Sequence, residues 1–289
     1  MPLDYEKLIN LEPIAAAQSY NERDTIMYAL GVGVGIDDPI SKETLRFAYE
    51  EGLEALPTMA VVLASPGFWL KDPRLGVDWR RLLHGEQSVV LHRPLPAAAD
   101  LTSVTTVDAI YDKGADRGAL LYASRVIRSA TSGEQVATVR LAYFLRGDGG
   151  FGGRADGAPQ PHPIPTDRAP DASIDMATRR DQALLYRLSG DYNALHIAPE
   201  AARVVGFDRP ILHGLCTYGI AGRAALKLLC DDDPTRLRRF DGRFSSPVYP
   251  GDSLRIEVWR EGRGRAALRV LAPERGVTVL QNGLVEFKD

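Results

Sequence analysis

Residues 147–170 read GDGGFGGRADGAPQPHPIPTDRAP, six glycines and five prolines in one stretch. Proline lacks the amide hydrogen and fixes φ, so a run this rich in it forms neither a helix nor a central strand. The stretch reads as a linker. It divides the chain into an N-terminal unit over 1–150, a linker over 151–170 and a C-terminal unit over 171–289.

The two units share one order of elements. Each opens with a polar segment and a helix, predicted over 20–30 and 186–205. A helix of small and apolar residues follows, roughly 56–64 and 215–229. Next come strand-like segments broken by prolines, Leu91-His92-Arg93-Pro94-Leu95-Pro96 and Ser246-Pro247-Val248-Tyr249-Pro250. An acidic turn then leads into extended runs at 100–107 and 252–259. Leu254, Ile256 and Val258 alternate with Arg255 and Glu257, the period of a strand with one buried face. Further strands are predicted over 119–128, 136–145, 265–271 and 277–287. The 215–229 helix is apolar nearly all round, as a buried helix is. A long buried helix followed by antiparallel strands is an α+β layer, a curved sheet wrapped around a helix. Two such units are expected to abut edge to edge.

Composition narrows the function classes. The formal net charge of −3 and the even spread of Lys and Arg leave no polyanion footprint, so no nucleic-acid partner is expected. The run Thr235-Arg236-Leu237-Arg238-Arg239 follows three aspartates and reads as a solvated turn between elements. Cys216 and Cys230 suggest small core residues in a reducing compartment rather than a disulfide framework. No apolar run approaches ~18 residues, so no membrane partner is expected. The first ten residues lack an apolar signal core, and the chain does not end in a Ser-Lys-Leu peroxisomal address. A cytoplasmic location follows as the expectation.

The stretch Ser189-Gly190-Asp191-Tyr192-Asn193-Ala194-Leu195-His196 places a carboxylate, an amide and an imidazole within six residues. Gly190-Asp191 is a turn signal, and Pro199 suits the first position of a helix. Asp191 and Asn193 are also ordinary turn formers, and His196 an ordinary helix cap. The second element is Pro210-Ile211-Leu212-His213-Gly214, which leads into the small-residue helix. Gly214 there offers a backbone N–H with the helix dipole behind it, an oxyanion-binding arrangement. An acid–base pair beside it suits proton transfer next to a developing oxyanion. Gly31-Val32-Gly33-Val34-Gly35 lacks the third glycine of a dinucleotide fingerprint. His213 and Cys216 have a metal-like spacing without a second pair, so no metal site is expected.

These residues carry a resemblance. YRLSGDYNALH at 186–196 with ILHGLCTYG at 211–219 resembles the motif of the MaoC-like (R)-specific 2-enoyl-CoA hydratases. The whole chain is similar to the hydratase 2 unit of multifunctional enzyme type 2 and its free-standing actinobacterial relatives. Supporting stretches lie at 23–33, 56–58, 83–87, 111–114 and 243–251. One departure is Ala194, where the family usually has proline. The resemblance implies a double hot-dog fold with one active site per chain, a degenerate N-terminal unit that accommodates the acyl chain and part of CoA, and a homodimer. Asp191 and His196 are the implied acid–base pair, with Asn193 and Gly214 beside them. His84, Gly85, Lys113, Tyr192, His213 and Phe244 are the implied substrate and CoA contacts. Met59, Val62, Phe68 and Trp69 are candidates for the acyl wall. CoA belongs to the substrate, and no cofactor is implied.

The activity so implied is reversible hydration of a trans-2-enoyl-CoA to the (3R)-3-hydroxyacyl-CoA in fatty-acid or related lipid metabolism, such as β-oxidation. A hot-dog acyl-CoA thioesterase, which would direct the water at C1, and a non-catalytic acyl-CoA-binding subunit are the alternatives.

Overall fold

The computed structural model describes residues 3–289. Residues 1 and 2, which belong to the N-terminal unit and to the stretch read as lacking a signal core, lie outside the described residues. Ten strands among the described residues form one antiparallel sheet. The first five are β1 (Ile14–Tyr20), β2 (Leu82–Leu91), β3 (Ala99–Asp112), β4 (Ala119–Ser129) and β5 (Gln135–Leu145). The second five are β6 (Ala172–Ala177), β7 (Leu237–Phe244), β8 (Ser253–Arg260), β9 (Arg265–Ala272) and β10 (Val277–Phe287).

The spatial order is β1-β3-β4-β5-β2-β7-β10-β9-β8-β6. Read inward from either end, it is the same topology twice, so the repeat legible in the sequence is repeated strand for strand. The units join where β2 and β7 pair antiparallel, from Glu86 opposite Arg243 to Val90 opposite Arg239. That pairing satisfies two edges that would otherwise expose open backbone groups. The result is a double hot-dog of the α+β class.

The helices are α1 (Tyr5–Ile9), α2 (Glu22–Gly31), α3 (Lys42–Ala48), α4 (Gln182–Tyr186), α5 (Pro199–Val204) and α6 (Gly214–Leu229). The buried helix is α6, which packs on β6, β7, β8 and β10 and also on the turn Pro57–Val61 of the first unit. Its glycines explain that second contact. A Cβ at Gly219 would collide with Val32, and one at Gly222 with Thr58. Small residues on α6 therefore let the first unit's chain approach its backbone. No helix among the described residues is long and apolar enough to cross a membrane. Cys216 and Cys230 are buried and unpaired.

Several predicted elements differ. The helix expected over 56–64 is a single 3-10 turn, Pro57–Val61. Proline opens it, β-branched Thr58, Val61 and Val62 disfavour its extension, and Ser65-Pro66-Gly67 follows. The helix expected over 20–30 is α2, with Asn21 and Asp24 forming a capping box, while Tyr20 ends β1. The helix expected over 186–205 is broken into α4, two 3-10 turns and α5, because Gly190 adopts φ +112° and Asn193 starts a new turn. The proline-broken segments at 91–96 and 246–250 follow strands rather than form them. Leu237-Arg238-Arg239, read as a solvated turn, opens β7.

Candidate active site

The catalytic candidates sit on the loop between α4 and α5. Gly190 takes the left-handed conformation that a β-carbon disfavours. Asp191 then folds the chain back, its Oδ1 accepting the Asn193 N–H at 3.2 Å. Asn193 Oδ1 in turn accepts the Leu195 N–H at 3.2 Å and caps the turn Ala194–His196. Short polar side chains bonding their own backbone are what make such turns. Asn193 is exposed, so its amide shapes the loop that presents Asp191 and His196. Pro199 stands at the start of α5.

His196 is buried and faces Asp191, with Nε2 3.9 Å from Oδ2. Its Nδ1 donates to the Ile211 carbonyl at 2.9 Å. That bond fixes the tautomer, leaving the Nε2 lone pair turned toward the carboxylate. Burial lowers the imidazole pKa from its ordinary value of 6.5, against the pull of the Ile211 bond and the Asp191 charge. The ring is therefore neutral near pH 7.

His213 lies directly beneath, its ring stacked on His196 with centroids 3.8 Å apart and planes inclined by 29°. It is fully buried, and its Nε2 donates to the Asp191 carbonyl at 3.1 Å. Burial first, and the neighbouring His196 second, push its pKa down to about 4. The resemblance made His213 a substrate contact. The ring is instead fully buried, stacked against His196 and packed near Tyr186, whose ring centroid lies 5.0 Å away. It supports His196 and the loop.

Gly214 begins α6 next to these groups, and as the first helical residue its N–H has no intrahelical acceptor. A Cβ there would meet the Phe244 ring at 3.3 Å, a tight contact that the glycine avoids. Phe244 ends β7, and its ring meets His84 of β2 edge-on at 5.2 Å. His84 comes from the other unit, carried on a bulge between His84 and Glu86 that contains Gly85. Its Nε2 donates to the Glu86 carbonyl at 3.1 Å, and burial lowers its pKa to about 4. Asp191 contributes to the field at His84 and at Tyr143, whose ring lies 5.4 Å from His84. The joint between the units thus lies beside the loop.

Asp191, His196, His213, Gly214, Phe244, His84 and Gly85 come together. Two candidates do not. Tyr192 is 61% exposed beneath the Arg187 guanidinium. Lys113 donates to the Ala155 carbonyl of the linker at 2.6 Å and does not contact the histidine cluster. Of the proposed acyl-wall residues, Met59 is buried and Val62 half-buried in one core cluster, Trp69 packs on another, and Phe68 is 40% exposed. Sequence reasoning missed Tyr143, and it took Tyr186 as a helix start and the first residue of the 186–196 motif without giving it a role. The hydroxyl of Tyr186 is buried with no partner among the described residues. Nothing local marks Tyr143, because only strand pairing brings it to the site, and nothing in the motif shows that the Tyr186 ring packs on His213.

Residues 18–147 match the family described as MFE-2 hydratase 2 N-terminal domain, and residues 162–281 match that described as MaoC like domain. The chain is 37% identical to the probable enoyl-CoA hydratase 2 of Dictyostelium discoideum over 98% of its own length and 96% of that protein's. The chain belongs to the MaoC-like enoyl-CoA hydratase 2 family. It is also 42% identical to the 3-hydroxyacyl-thioester dehydratase Y of Mycobacterium tuberculosis, with 93% of each chain covered. Its fold superposes on the crystal structure of a MaoC-like dehydratase from Phytophthora capsici with a TM-score of 0.86, at 36% identity over 99% of this chain and 100% of that one. The resemblance marks Ala194 as a departure. It opens the turn Ala194–His196, a position where a missing N–H costs nothing.

Proposed function

We propose that this protein is a (3R)-hydroxyacyl-CoA hydro-lyase that reversibly adds water across the double bond of a trans-2-enoyl-CoA. The observation that carries the reading is Asp191 facing the free Nε2 of His196 across 3.9 Å, beside the first N–H of α6. The gap is too long for a direct hydrogen bond and suits one bridging water.

Such a water directs one hydrogen at Asp191 Oδ2 and the other at His196 Nε2, which turns its oxygen lone pair to C3. Asp191 takes its proton as the C3–O bond forms. The C2=C3 electron pair moves toward the thioester, and the negative charge on the thioester oxygen meets the Gly214 N–H at the positive end of α6. Asp191 then delivers the same proton to C2, so the sum is H and OH across one double bond. Asn193 holds the loop in register, His213 braces His196, and Phe244 and His84 flank the thioester. Lys113, Gly85 and Tyr192 are left as contacts for the rest of CoA.

The scheme uses no metal or redox cofactor. Ligand atoms of Asp191, His196 and His213 lie within 4.8 Å of one another. Imidazole lone pairs lie in the ring plane, however, and two rings stacked at 3.8 Å do not converge on one ion.

A crotonyl-CoA assay tests the proposal by following loss of the enoyl thioester and release of free thiol together. Loss of the double bond without thiol is the hydratase outcome; thiol release is the thioesterase one, and neither change marks a non-catalytic subunit. The (3R) product rests on family membership, and an (S)-specific 3-hydroxyacyl-CoA dehydrogenase coupled to the reaction should form no NADH. Operation as a cytoplasmic homodimer is part of the same proposal; the two unpaired, buried cysteines suit a reducing compartment, and the dimer rests on the family resemblance. Sedimentation and fractionation test it.

A further inference from the structure

The first unit's sheet buries a cation that the scheme above does not use. Arg125 of β4 is 3% exposed and shares its face with buried Leu121, Ala123 and Ile127. Its Nη2 donates to the Val61 carbonyl at 2.6 Å, while its Nε is buried without a partner among the described residues. No carboxylate among the described residues pairs with it. Thr105 lies directly opposite on β3, and its buried hydroxyl is also unpartnered. A buried guanidinium without a counter-charge is strongly unfavourable, and an anion is its natural complement.

Arg125 also marks a division in the core. Leu121 and Ala123 belong to one apolar cluster with Leu70 and Ile110, while Ile127 and Val139 belong to the other. Residues bordering the division are half-buried: Val62 on one side, Val107, Leu141 and Tyr143 on the other. Tyr143 leads back to the thioester end through His84, Phe244 and Gly214. Arg125 pairs with Val139, four residues along β5 from Tyr143, which is about 13 Å at the rise of a strand. Half-buried residues thus lie along β5 between the reaction centre and an unpaired cation.

We propose that Arg125 terminates the acyl path, and that the substrates of this enzyme include trans-2-enoyl-CoA thioesters carrying a carboxylate at the far end of the chain. The inference rests on the hydratase reading. The guanidinium offers a free Nε–H, and the Thr105 hydroxyl adds a second donor to the same anion. The distal carboxylate takes no part in bond making; water adds across C2=C3 as before. A chain ending in methyl leaves the cation unpaired, which is the source of discrimination.

The test compares kcat/KM for trans-2-enoyl-CoAs ending in methyl and in carboxylate over a series of matched lengths, each normalised to crotonyl-CoA with the same protein. The wild type should favour the carboxylate end by about 10-fold or more at one or more lengths, as charge-assisted bonds in a dry site imply. R125M, which keeps bulk and removes charge, should abolish or invert that preference, and R125K should retain part of it. A wild type indifferent to the terminus at every length overturns the proposal, even if R125M fails to fold. So does a carboxylate preference that survives in R125M. Absence of crotonyl-CoA hydration by the wild type would instead refute the hydratase reading.

Discussion

The rings of His196 and His213 stack at 3.8 Å, and each donates one N–H to a backbone carbonyl, Ile211 for the first and Asp191 for the second. His196 and the loop carrying Asp191 are thereby held by one element, the lead into α6. A proton on His213 would place a cation against His196 and disturb both.

That arrangement predicts a pH dependence of stability. His84 and His213 have folded pKa values of about 4, against 6.5 ordinarily. The unfolded chain binds protons as pH falls through 6.5 while the native chain does not, so stability is full above 6.5 and declines toward 4. H213Q should flatten the slope of unfolding free energy between pH 6.5 and 5 by up to ~1.4 kcal/mol per pH unit. Urea titrations across that range check it; an unchanged slope means His213 titrates normally.

A second prediction concerns Ala194. Asn193 has φ −58° and ψ 125°, the extended geometry that a residue before proline requires, and Ala194 is the first residue of its turn. A194P should raise stability by about 0.4–1 kcal/mol by restricting the unfolded chain. Thermal melts read this directly, and a lower Tm would show that the loop needs the freedom of alanine.

How much was legible beforehand follows from where the information lies. β8, with Leu254, Ile256 and Val258 inward, and the all-round apolar α6 show their periods locally. The loop 190–196 announces itself through Gly190, Asp191 and Asn193, each a turn former with its own backbone bond. β1, with the sequence IAAAQSY, has little β propensity and exists because β3 lends it an edge. The turn 57–61 looked like a helix because small apolar residues suit both, and its neighbours decided the matter. His84 and Phe244 were reachable only through family resemblance, since their meeting depends on the β2–β7 joint. Tyr143 carries no local signal at all.

The joint also predicts that the second unit does not stand alone. Residues 171–289 contain the whole loop and α6, yet Gly219 and Gly222 of α6 face Val32 and Thr58 of the first unit, and β7 needs β2. An isolated 171–289 fragment should aggregate or remain inactive, because it exposes a sheet edge and an apolar helix face. Size-exclusion chromatography with a crotonyl-CoA assay decides this, and a soluble fragment of full activity would refute the division of labour.

The most direct measurement is the hydration rate of crotonyl-CoA by D191N, H196A and the double variant, with circular dichroism to verify the fold. Each single change should lower kcat by about 100-fold or more, and the double variant should be little worse than either, since both groups act on one water. Near-normal turnover by either single variant, or strictly additive losses in the double, would contradict the mechanism.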